Sequence, residues 1–172
     1  MDLFKDPVCI KQIMKKIIPI FYFLAIIAGA AFAQIPDIDS TLQKIKIEKD
    51  DDKKVDLVVS FYSAEFNNNP NLVIEVGIKL LKQSQADKSI IEEASAYSML
   101  GHGYRLMGSN IKGLEYHHKA IALAEKSNNY SLMAIAEHQM AHIYKDRGEY
   151  EKAIQLYRSA SSLAEKGKNE SI

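Results

Sequence analysis

Five histidines are the side chains whose type and spacing come nearest to chemistry. His138 and His142 stand at i and i+4, which puts two imidazoles on one helix face and could chelate zinc or copper, with His102 on a neighbouring helix. The pattern stops short of a metalloenzyme. The stretch reads His-Gln-Met-Ala-His, without the glutamate a zinc hydrolase uses as base, and no carboxylate stands at a fixed spacing. Metal binding is a distant alternative, and no metal ligand or cofactor is assigned. Asp50-Asp51-Asp52 lacks the spaced oxygen ligands and the glycine of a calcium loop, so it reads as solvated linker. There is no nucleophile elbow and no phosphate-cradling glycine loop, and Cys9 is the one thiol. No catalytic residue is assigned, and the chain reads as non-enzymatic.

The elements that carry these histidines belong to an ordinary globular composition: 172 residues, 47% hydrophobic, eight glycines and four prolines. Twenty-two basic residues balance 22 acidic ones. That leaves no field to hold a phosphate backbone, so nucleic acid is not expected as a partner. A lone cysteine excludes an internal disulfide.

Residues Ile17 to Ala33 carry no charge, follow Lys15 and Lys16, and end in Ala31-Phe32-Ala33 before Gln34. This is the pattern of a secretory signal peptide. Seventeen residues span about 26 Å as a helix, a little short for a bilayer. Cleavage after Ala33 is favoured over an uncleaved anchor formed by residues 17–33, and the start could be Met1 or Met14. The expected location is exported, periplasmic or secreted, with membrane contact only if the leader is kept. Removing it takes four lysines, two aspartates and Cys9 away, leaving a net charge of −2.

Beyond the leader the chain repeats every 40 residues. Leu100, Gly101, Tyr104, Gly108, Gly113, His117 and Ala120 fall on Met140, Ala141, Tyr144, Gly148, Ala153, Tyr157 and Ala160. One step back the match is poorer, and a degenerate first copy is expected. Each copy reads as two helices. Tyr97, Leu100, Gly101 and Tyr104 recur at helical spacing, Gly108 suits a left-handed helix end, and Ser109 or Asn110 can cap the next helix. Ser89 and Glu92 have the spacing of a capping box, and Asn69-Pro70 puts a cap before proline at the first helical position. Helices are expected at 54–66, 70–85, 89–107, 110–127, 130–147 and 150–166. Gly101, Gly113 and Ala120, with Ala141, Ala153 and Ala160, would let helix backbones approach closely while Tyr104, Tyr144 and Tyr157 fill the gaps.

The run Ala96-Tyr97-Ser98-Met99-Leu100-Gly101-His102-Gly103-Tyr104, with Gly108, Gly113, His117, Ala120 and Ile121 after it, resembles the tetratricopeptide repeat family. Tyr144, Arg147-Gly148-Glu149-Tyr150, Lys152-Ala153, Tyr157 and Ala160 supply the next copy. Gly113 and His117 depart from the usual alanine and large aromatic, and Met140-Ala141 from Leu-Gly. The longer period resembles the long-helix branch seen in secreted or periplasmic bacterial members and in sensor input regions. The resemblance implies an all-α solenoid of about three helix-turn-helix repeats over 54–167. The leader 1–33 and a linker 34–53 precede it, and a tail 168–172 comes after it.

By that resemblance the concave face lies on the first helix of each copy, and a protein or peptide would bind there. Ser98, His102 and Arg105, with His138, His142 and Lys145 one period on and Tyr62 and Glu65 one period back, are the candidate groove, mildly cationic and suited to an extended peptide. The function expected is a non-enzymatic protein-interaction scaffold. The alternative is the truncated periplasmic input region of a bacterial signalling protein. Neither partner nor oligomeric state is fixed by these residues.

Overall fold

A computed structural model describes residues 38–64 and 69–170, with the side chains of 62–64, 169 and 170 left aside. The leader and Glu65 lie outside the described residues, as does the side chain of Tyr62. Seven helices succeed one another among the described residues: α1 Ile38–Ile47, α2 Asp51–Ala64, α3 Pro70–Asp87, α4 Ile90–Leu106, α5 Asn110–Lys126, α6 Tyr130–Asp146 and α7 Tyr150–Glu170. Consecutive helices from α3 onward pack as antiparallel neighbours, and α2 lies on α4 and reaches α6. The result is the all-α solenoid of helix pairs that the 40-residue period implies.

The ends of the helices show why the chain folds into pairs. Gly108 has φ of +75° and Gly148 of +77°, the left-handed conformation that glycine adopts without a Cβ penalty. At the first, the Gly108 N–H donates to the Arg105 carbonyl and the Ser109 N–H to the Tyr104 carbonyl, both at 2.8 Å. Gly148 and Glu149 repeat this on Lys145 and Tyr144 at 2.9 Å. These paired bonds satisfy carbonyls that the helix itself leaves open and turn the chain back on itself. Lys88 and Asn128 occupy the same left-handed position at the ends of α3 and α5, with φ of 56° and 52°.

Helix starts match the expected caps in part. The Asn69 side chain accepts from the Leu72 N–H at 3.2 Å with Pro70 behind it, and Asn129 accepts from Leu132 at 2.8 Å. Ser89 accepts from the Glu92 N–H at 3.4 Å, but Glu92 does not complete the box. Its Oε1 instead takes the Lys54 ammonium at 2.8 Å, pinning α2 to α4. Ser109 precedes α5 without a side-chain cap bond.

The linker expected at 34–53 contains α1 and the start of α2. Ile38, Leu42 and Ile45 recur at helical spacing and pack with Val58 and Phe61 of α2, Val73, Val76 and Leu80 of α3, and Met99 of α4. Their stripe is short and lies among charged residues, so composition hides it. At the other end α7 runs through Lys168, where a tail is expected.

The close approaches are real, but the fillers differ from those expected. A Cβ on Gly101 would lie 2.7 Å from the His117 ring, so the imidazole fills the space the glycine leaves. Gly77 takes Leu100 in the same way, and Gly113 takes the Ile143 Cδ1. Tyr97 and Tyr104 do not fill the core; they stay half-buried, stacked on Tyr116 at 6.0 and 5.3 Å.

Candidate interaction surface

Helix α4 is covered on both faces, which decides the fate of half the expected groove. Ser98 and His102 are 2% and 4% exposed. Ser98 shares a narrow gap with Val55, Val58 and Val59 of α2 and with Leu132 and Ile135 of α6. The face assigned to a ligand is occupied by the chain's own α2 and α6. Apolar residues on α2 drive this, because Val55 packs with Ile91, Ala94, Ala124 and Leu132. Asn129 adds a hydrogen bond to the Asp52 carboxylate at 3.4 Å, and the Asp50 carboxylate accepts from the Lys53 N–H at 3.0 Å. The Asp50–Asp52 run is therefore the start of a packed helix and no linker.

On α6 the expected residues do come together. The rings of His138 and His142 lie 4.7 Å apart, and Tyr157 of α7 meets them at 5.4 and 5.6 Å, each pair edge to face. The Tyr157 hydroxyl oxygen lies within hydrogen-bond distance of His142 Nδ1 at 3.2 Å, and the Lys145 ammonium approaches the same atom at 3.5 Å. A protonated ring here would set two cations side by side, so the neutral imidazole is favoured at His142. Desolvation first, then the His138, Arg105 and Lys145 charges, lower its pKa. His138 is lowered likewise by desolvation and by Arg105 and Lys145. His102 donates from Nδ1 to the Gln139 side-chain oxygen at 3.1 Å, and burial pushes its pKa down to about 4. Arg105 pairs with Asp146 at 3.5 Å. The mildly cationic groove thus reduces to one exposed cation of the set, Lys145.

Among the described residues no three histidine, cysteine or acidic side chains are placed to hold a metal ion. His117 is fully buried and finds no hydrogen-bond partner for either ring nitrogen among the described residues. Burial lowers its pKa to about 3. It is a packing group, as its aromatic register position implies.

Beside the histidine pair lies an open groove of about 440 Å³. Val59 forms one wall, Ala134, Ile135 and His138 of α6 the floor, and Tyr157, Ala160 and Ala164 of α7 the other wall. The groove residues expected from the sequence omit the α7 side and Val59; Tyr157 and Ala160 are packing residues in that reading. The available signal was the period: Ala160 and Ala164 are the images of Ala120 and Ala124, and a small-residue stripe needs a helix over it. No described helix is long and apolar enough to cross a membrane.

The family model for the tetratricopeptide repeat matches residues 92–166, from the first turn of α4 to within the last turns of α7. No curated protein matches the chain. The matched segment contains two helix pairs closed by the same left-handed glycine turn and offset by 40 residues, and over that segment this chain is similar to the tetratricopeptide repeat family.

Proposed function

We propose that this protein is a non-enzymatic interaction module that takes a protein partner in the groove between α6 and α7. Tetratricopeptide repeats generally mediate protein–protein interaction. The observation that carries the assignment is the groove itself: an open, largely apolar concavity walled by small residues, next to a neutral histidine pair and an exposed lysine. Such a surface loses free energy when a partner covers it. It keeps His138, His142 and Lys145 of the expected site and moves the partner from the α4 face to the α6/α7 edge. The charge-free run Ile17–Ala33 and its Ala-Phe-Ala ending support placing the module across the membrane from the cytoplasm.

Ser161 and Ala164 are exposed on the groove wall, so glutamates there leave the core untouched. Full-length chain captures its partner from envelope extract, and a Ser161→Glu/Ala164→Glu chain with the same melting temperature does not. Equal capture by both would remove the groove from the function.

A further inference from the structure

We infer that the occupant of this groove is a partner helix lying parallel to α6 and presenting a carboxylate to Lys145. The inference deepens the interaction reading above and rests on it.

The repeat supplies its own template. Helix α6 covers the α4/α5 pair through four points: Leu132 among Ile91, Ala94 and Ala124, Gln139 on His102, Ile143 on Gly113, and Asp146 on Arg105. Forty residues on, the receiving positions become Ser131, Ala134 and Ala164, His142, Ala153 and Lys145, so one apolar receiver, Ile91, is replaced by a polar one. The small residues stay small and the cation stays a cation. Arg105 has 18% of its side chain exposed under Asp146, whereas its image Lys145 is exposed, and Ala124 is fully buried where Ala164 is open. The groove therefore repeats part of the α6 footprint: Ala134 and Ala164 line it and Lys145 stands exposed nearby, while Ala153 is already buried within the α6/α7 pair.

The template also specifies the occupant. It needs an aliphatic residue over Ala134 and Ala164 and a carboxylate fourteen positions later, as Leu132 and Asp146 stand in α6, whereas no counterpart of Ile143 is required because Ala153 is already buried. Helices α4 and α6 run parallel because α5 returns between them, so the occupant runs parallel to α6. A polar group at the Gln139 position is not required, since His142 Nδ1 is already taken by Tyr157. A second copy stacked head to tail is disfavoured by charge: one and two periods before Asp146 stand Leu106 and Phe66, neither of which can pair with Lys145.

The probe is a fluorescent synthetic peptide of residues 129–147, offered in trans to the full-length chain and followed by anisotropy. The peptide binds, and binding is lost on the Ser161→Glu/Ala164→Glu chain. Lys145→Glu weakens it about fivefold, a modest factor because the pair is partly solvated, and a peptide carrying Asp146→Lys regains the lost affinity on that variant. If the peptide binds in the groove but ignores both charge changes, the groove stands and the inferred carboxylate falls. Absence of peptide binding overturns the inference, while capture by the groove variant decides the function separately. Should the full chain sediment as a dimer that Ser161→Glu/Ala164→Glu splits, a second copy is the occupant and the inference is overturned.

Discussion

Replacing Gly101 by alanine sets two physical effects against each other and lets the structure decide the sign. In an open helix the change stabilises by about 1 kcal/mol, because alanine gives up less backbone entropy on folding. At Gly101 the new Cβ meets three atoms of the His117 ring at 2.7–2.8 Å. The ring is rigid and 0% exposed, so it cannot swing aside. Overpacking of this kind costs about 1–3 kcal/mol, and three simultaneous contacts put this site at the upper end. The net expectation is a loss of about 2 kcal/mol, lowering the melting temperature by about 4–8 °C. Thermal unfolding and urea titration of the full chain measure it. A second arm isolates the cause: in a His117→Ala background the same Gly101→Ala change meets empty space, and its penalty disappears. A raised melting temperature for Gly101→Ala, or an equal penalty with and without the imidazole, would refute the packing.

His102 and His117 are buried neutral, with pKa values lowered to about 4 and about 3, so the unfolded chain binds protons that the native state refuses. Their stability contribution is complete above pH 6.5 and declines as pH falls toward the folded values. At pH 5 each costs about 2 kcal/mol relative to neutral pH, and His117→Phe shrinks the acid loss seen by urea titration by that amount. At the turns, Gly108→Ala costs about 1 kcal/mol from backbone strain alone, since nothing lies within 4 Å of its Cβ direction. Lys88→Gly, which relieves a left-handed lysine, gains a similar amount, and opposite shifts in melting temperature check both. Lys54→Met strands the Glu92 carboxylate, whose side chain is 4% exposed, at a cost of about 2–3 kcal/mol that adding Glu92→Gln largely recovers; equal unfolding midpoints for the single variant and the parent would show the α2 anchor to be idle.

Local signals were legible wherever a residue type has few conformational uses. Gly108, Asn69-Pro70 and Ser89 marked helix ends because left-handed backbone, a missing N–H and a short hydroxyl each suit one place in a helix. Glu92 shows the limit of such reasoning. Its spacing from Ser89 fits a capping box, yet the carboxylate goes to Lys54, 38 residues away, because a buried charge gains more from a cation than from one N–H. The stripe of α1 was missed because three apolar positions among lysines and aspartates bury area only once α2 and α3 are beside them.

What the sequence alone determined is the period, and with it the helix pairs, their turns and the small residues that let them close. Those are properties of neighbours in the chain, set by steric rules that act over a few residues. Which face stays open was decided by tertiary packing. Ser98 and His142 stand on equivalent helices and looked alike as groove residues, but α2 folds across one and leaves the other beside an open groove. The choice depends on valines at 55, 58 and 59 finding Ile91, Ala94 and Leu132, contacts that span more than 30 residues and that no local pattern can count.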